Sequence, residues 1–140
     1  MSTVDAFDAT SAFLAAHWLA CPLTWSNDAY DPPTDGATTW ILADMSSRSF
    51  EAMTIGSGDP ATDRWDEMGW LSLHIMVPIG NGTRDARAKA STLADLFRGL
   101  RLLGDRLEFG DMTIGADGGR SEDGNWFRFT VEIEWRLRGV

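Results

Sequence analysis

The strongest constraint in this chain is a run of strict alternation, Trp126 to Arg138. Phe127, Phe129, Val131, Ile133, Trp135 and Leu137 fall on one side, and Trp126, Arg128, Thr130, Glu132, Glu134, Arg136 and Arg138 on the other. A period of two over that length fits a half-buried strand of an antiparallel sheet and no helix. Burying the six apolar side chains is worth on the order of 10–15 kcal/mol before entropy, as an upper bound. Such a strand needs partners with the same pattern and something apolar over its inner face.

Trp70–Leu103 supplies both. Leu71, Leu73, Ile75 and Val77 point one way and Trp70, Ser72, His74 and Met76 the other, so Arg64 to Val77 reads as a second long strand. Pro78 and Gly80-Asn81-Gly82 break it. Ala86, Ala90, Leu93, Leu96/Phe97 and Leu100 then recur at helical spacing, which predicts a helix over about 84–98, with Thr83 as N-cap and Gly99 or Gly104 as the stop.

The rest of the chain fits around this pair. Residues 3–20 carry Phe7, Thr10/Ser11, Leu14 and Trp18 at helical steps, with Thr3, or Ser2 with Asp5, as cap and Pro22 as terminator. Leu23-Thr24-Trp25 is a short apolar piece before an Asp/Pro/Gly-rich loop at 31–36. Thr39 to Met45 reads as a strand, and Phe50 to Ile55 as another or as its continuation past Ser46-Ser47. Gly56 to Pro60 marks a turn, 106–115 a strand with a bulge at Gly110, and 116–125 a polar loop. The expected fold is a single α+β domain over 1–140: a mainly antiparallel sheet of four to five strands with two helices on one face.

Composition narrows the function classes. The formal charge is −9, and the cations are 11 arginines with a single lysine, Lys89. A net acidic chain without a basic cluster is poorly suited to gripping nucleic-acid phosphates. No apolar run approaches the ~20 residues of a membrane helix, and the first residues, with Asp5 and Asp8, lack a signal-peptide pattern. One cysteine, Cys21, permits no internal disulfide. A soluble protein made in the cytoplasm is expected.

The search for chemistry returns little. A dinucleotide fingerprint around Gly80-Asn81-Gly82 needs a small residue where Asp85 stands, and a P-loop needs lysine where Thr83-Arg84 follow. His17 and His74 have no Cys, His or carboxylate at metal-ligand spacing. Asp63, Asp66 and Glu67 cluster ahead of the central strand. Glu132 and Glu134 alternate with Arg128, Arg136 and Arg138, the pattern of a charge-laced sheet face rather than a hydrolytic pair. No catalytic, cofactor or metal residue is assigned. The seven tryptophans exceed what so small a core needs, and Trp65 and Trp126, at strand starts, are expected to face a partner.

Taken together, several motifs carry a resemblance. An N-terminal helix precedes Pro22-Leu23-Thr24-Trp25-Ser26-Asn27, a proline pair and Thr39-Trp40-Ile41; Gly69-Trp70-Leu71-Ser72-Leu73-His74-Ile75-Met76-Val77-Pro78-Ile79-Gly80-Asn81-Gly82 then leads into the helix from Ala86 to Phe97. This order resembles the tail terminator, or tail completion, proteins of long-tailed bacteriophages and gene transfer agents. The resemblance implies a non-catalytic virion protein that assembles as a homo-oligomeric, hexameric ring on the tail tube. It also implies contacts with the tail tube protein and the head–tail connector, with DNA passing through unbound. The interface candidates are Trp65, Trp126, Arg128, Glu132, Glu134 and Arg136. Two rival readings are another neck or adaptor protein of the virion, and a small-molecule-binding or enzymatic α+β domain with a pocket built on His74 and Asp66.

Overall fold

A computed structural model describes residues 3–54, 56, 58–80, 82–120 and 125–139, with 116–120 described by their backbone alone. Two helices and six strands follow one another as α1 (Val4–His17), β1 (Leu23–Trp25), β2 (Trp40–Ala52), β3 (Trp65–Pro78), α2 (Arg84–Phe97), β4 (Arg101–Leu102), β5 (Leu107–Arg120) and β6 (Trp126–Arg138). Among the described residues a 3-10 turn, Pro60–Thr62, sits between β2 and β3. The strands form one sheet in the order β1-β2-β3-β6-β5-β4.

The sheet corrects the expectation of four to five antiparallel strands: it has six, and it is mixed. β1 lies parallel to β2, with Leu23 beside Ile41 and Trp25 beside Ala43. The polar stretch 26–39 carries the chain back past the end of β1, so β2 starts level with it and runs the same way. β1 and β4 span three and two residues. That is too short for alternation to show. All other neighbours are antiparallel.

Two irregularities matter. β2 is one strand rather than two, with a bulge between Ser47 and Ser49 where it crosses β3. Opposite the bulge stands Gly69, where a Cβ atom would lie 1.9 Å from the Ser46 carbonyl oxygen. Only glycine lets the two backbones come so close. β5 is longer than expected: it pairs with β6 as far as Arg120, through register shifts that begin between Phe109 and Met112, around Gly110. The polar residues 116–120 therefore belong to a strand, because glycine and aspartate remain compatible with pairing where a well-formed neighbour such as β6 supplies the ladder.

α1 begins at Thr3, whose hydroxyl accepts the Ala6 N–H at 3.4 Å. It ends at His17 instead of running toward Pro22, because Trp18 leaves helical geometry to enter the core while its N–H still reaches the Leu14 carbonyl at 2.8 Å. α2 begins at Thr83, which makes no side-chain cap; its hydroxyl accepts from Arg87 Nε instead.

Both helices cover the same side of the sheet. Ala6, Leu14 and Trp18 of the first stretch and Ala86, Ala90, Leu93 and Phe97 of the second share one apolar cluster with Leu71, Leu73, Ile75, Val131, Ile133, Trp135 and Leu137. Phe97 is its hinge point, edge-on to Phe13 of α1 at 5.5 Å and to Phe109 of β5 at 4.9 Å. Glu67 ties α1 to the sheet by accepting the Thr3 N–H at 3.0 Å.

Candidate assembly surface

The face of the sheet turned away from the helices is formed by Met68, Trp70, Ser72, His74 and Met76 of β3, by alternate residues of β6 from Arg128 to Arg138, and by Leu42, Asp44 and Ser46 of β2. It is polar but not loosely solvated. Its anchor is Asp66, whose side chain is 0% exposed. Arg64 grips the carboxylate with Nε to Oδ1 at 3.1 Å and a second nitrogen to Oδ2 at 3.0 Å. Arg136 reaches the same Oδ2 from the neighbouring strand at 2.9 Å, and the Gly139 N–H donates to Oδ1 at 3.1 Å. Burial opposes ionisation of this acid, but two guanidinium groups and a backbone N–H outweigh it and hold the pKa down at about 2. The cluster ties the start of β3 to the end of β6.

Further along, the network thins into pairs. Arg138 meets Glu108 of β5 at 2.8 Å. His74 Nδ1 shares a hydrogen bond with Thr130 Oγ1 at 2.8 Å across the β3–β6 pair. The Arg48 guanidinium, displaced outward by the bulge, lies 5.8 Å over the Trp70 ring. Arg48, Met68, Glu108, Glu134 and Arg136 rim a cleft of about 330 Å3.

The sequence-predicted interface residues separate into three groups. Arg128, Glu132, Glu134 and Arg136 do share this face, in register with Met76, Ser72, Trp70 and Met68. Trp126 lies at the far end, but it is only 7% exposed and packs edge-on to Trp40 at 5.8 Å, with Met76 in the same small cluster. Trp65 turns to the other side, where it stacks on Phe50 at 5.6 Å and its indole N–H donates to the Pro60 carbonyl at 2.8 Å. The sequence shows Asp66 as one of several acids and, with His74, as a pocket residue of a rival reading, not as the anchor of this face. The readable signal was Arg64-x-Asp66, two opposite charges on one strand face, at the end of β3 that Arg136 reaches.

The residues considered for catalysis take structural partners. Asp85, in the first turn of α2, accepts from Lys89 at 2.6 Å and from the Thr39 hydroxyl at 2.7 Å. The Lys89 bond first, then Thr39, lower its pKa. The helix start behind Gly80 and Gly82 is thus occupied by an acid of the chain itself; Asn81 lies outside the described residues. Burial pushes the Cys21 thiol above its ordinary value, away from thiolate reactivity. His17 packs against Phe13 at 4.5 Å. Among the described residues no group of three His, Cys, Asp or Glu is placed to hold a metal, and no helix is long and apolar enough to cross a membrane. Neither His74 nor Asp66 lines any of the four surface clefts described.

The fold defines the class as α+β, with both helices on one side of a mixed sheet. Twenty-one chains of solved structures match it. One of them, whose name states no function, aligns over 98% of this chain and 96% of its own with a TM-score of 0.61 at 19% identity, a likeness of fold alone. No curated protein matches. The sequence profile of the phage tail terminator proteins matches residues 5–135, from the first turn of α1 almost to the end of β6. The chain belongs to the phage tail terminator protein family, a family of structural proteins of the phage tail.

Proposed function

We propose that six copies of this protein close into a ring that caps the tail tube, stops its polymerisation and joins it to the head connector. The observation that carries this reading is the family match across 5–135, which reaches every strand of the sheet and both helices. The chemistry of the surface is compatible with it. The face turned from the helices is a lattice of paired charges, and a chain at −9 is poorly suited to gripping the phosphates of passing DNA. The protein is made in the host cytoplasm and ends in the neck of the virion.

The same charge makes assembly sensitive to salt. Copies at −9 each repel one another, and the repulsion reaches about 30 Å at 0.01 M salt but only about 8 Å at 0.15 M. Ring formation is therefore expected to strengthen with added salt or Mg²⁺. Sedimentation over an ionic-strength series, paired with electron microscopy of the protein mixed with tail tubes, checks this. A ring-sized species, and density at one end of tubes of uniform length, is the expected outcome. A monomer at every ionic strength, with or without tubes, overturns the proposal.

A further inference from the structure

Two long strands keep open edges. β1 covers β2 only as far as Ala43, whose carbonyl accepts the Ser26 N–H at 2.8 Å. From Asp44 to Ala52, β2 has β3 on one side and, among the described residues, no strand on the other. At the opposite end of the sheet β4 covers Leu107 and Glu108, and the Phe109 N–H reaches Leu100. Beyond that, β5 has β6 on one side and, among the described residues, no strand on the other. Open edges of this kind invite pairing with another chain.

The two edges are matched in direction, level and chemistry. β2 is antiparallel to β3, β3 to β6 and β6 to β5, so β2 and β5 run in opposite senses. A second copy set alongside in the same orientation brings its β5 antiparallel to β2 of the first. Ile114, 51% exposed, is the large apolar residue on the open part of β5. It lies level with Val131, which aligns with Leu73 and through it with Ala43. The next residue of β2 on that side is Met45. Beside Met45 a cleft of about 530 Å3 opens between α1 and the β2 edge, lined by Val4, Phe7, Trp25 and Met45 among others. Seating Ile114 opposite Met45 sets Thr113 against Ser46 and the exposed Asp111 against the exposed Arg48.

We infer that the partner of each open edge is a second copy of this chain. β5 of one protomer pairs antiparallel with β2 of the next, Ile114 enters the cleft at Met45, and Asp111 meets Arg48. Backbone hydrogen bonds give the adhesion, and the apolar anchor and the ion pair set the register. Each protomer spends one edge on each neighbour, a head-to-tail contact that repeats and closes as a ring. The inference rests on the ring reading, and its test separates the two.

With Cys21→Ala as background, Ser46→Cys and Thr113→Cys are made in separate full-length proteins. Residues directly opposite on antiparallel strands have Cβ atoms about 4.5–5.5 Å apart, close enough for oxidation to join them. A covalent dimer that forms only when the two proteins are mixed with tail tubes is the expected result. A dimer of the Ser46→Cys protein with itself overturns the inference, because it means β2 pairs with β2 about a twofold axis. Ile114→Asp is expected to reduce ring formation more than about tenfold, the effect of losing a central apolar anchor, while the monomer melts as before. Leu19→Asp, at a residue 82% exposed that neither lies on β2 or β5 nor lines the cleft, should leave assembly unchanged. Rings that form equally well with Ile114→Asp and give no mixed cross-link overturn the edge pairing and leave the ring standing. Absence of rings from the unaltered protein overturns both.

Discussion

The two faces of this sheet are made by the same strands and obey different physics. Toward the helices, Leu71, Leu73, Ile75, Val131 and Ile133 are fully buried and their contacts are apolar. Away from them, alternate residues of the same strands hold Asp66, Arg136, His74, Thr130 and Trp70 in a lattice of ion pairs, hydrogen bonds and one cation–ring contact. The inner face draws its stability from area removed from water, which is indifferent to pH and strengthened by salting-out ions. The outer face draws its order from partnered charges, which hold geometry well and add little net energy where they are exposed. One face makes the protomer fold; the other fixes the geometry of the strands that share it.

The sharpest way to break the contrast is to cut the inner face. Phe97→Ala removes the ring that α1 and β5 both touch, and it should cost roughly 3–5 kcal/mol, read as a lowered urea midpoint. A loss under about 1 kcal/mol would mean that the helices are held by something else. On the outer face the largest effect belongs to Asp66→Ala, roughly 2–4 kcal/mol, since it leaves Arg136 and the Gly139 N–H without their acceptor. This loss has a pH signature. Asp66 titrates at about 2 in the folded chain against an ordinary 3.8. Its contribution is therefore complete above about pH 4 and disappears as pH falls toward 2. Thermal melts of the unaltered protein should drop through that window, and those of Asp66→Asn should drop less. Equal acid sensitivity in both would move the cause to another carboxylate. Least costly is Arg138→Ala. Its pair with Glu108 is half exposed, so the change should stay below about 1 kcal/mol and fade in high salt, as a double-mutant cycle with Glu108→Ala would show.

The same contrast explains what the sequence made readable. Alternation in Trp70–Val77 and Trp126–Arg138 named the inner face residue by residue, because burial writes itself as a period of two. The helical stripe of 84–98 was equally plain. β1 and β4 escaped as strands because two or three residues hold no period, and β5 was cut short because its last residues are glycine and polar. On the outer face the alternation of Glu132, Glu134 and Arg136 reads as a charge-laced sheet face, but which side chains stay exposed there is not written in it. Whether a tryptophan on that pattern is exposed depends on residues far away in the chain. Trp40 packs on Trp126 and Tyr30 packs on Trp40, and no local rule reports that. The importance of Asp66 likewise comes from Arg136, seventy positions later. Open edges are the least legible feature of all, since they are defined by what the rest of the sheet leaves uncovered.

The bulge between Ser47 and Ser49 changes what a deletion would mean in this chain. Before it, the even-numbered residues Trp40, Leu42, Asp44 and Ser46 face outward; after it, Ser49 and Glu51 do, aligned with Met68 and Asp66. The strand thus reverses its phase at Arg48 while both halves keep their apolar side toward the helices. A gene that lost the Arg48 codon would encode a straight strand with every other residue of β2 on its present face. The same loss at Leu42 would turn half of the strand inside out. Loss of a single residue therefore keeps the phase of β2 only at the bulge, where the chain also carries the residue that leans over Trp70.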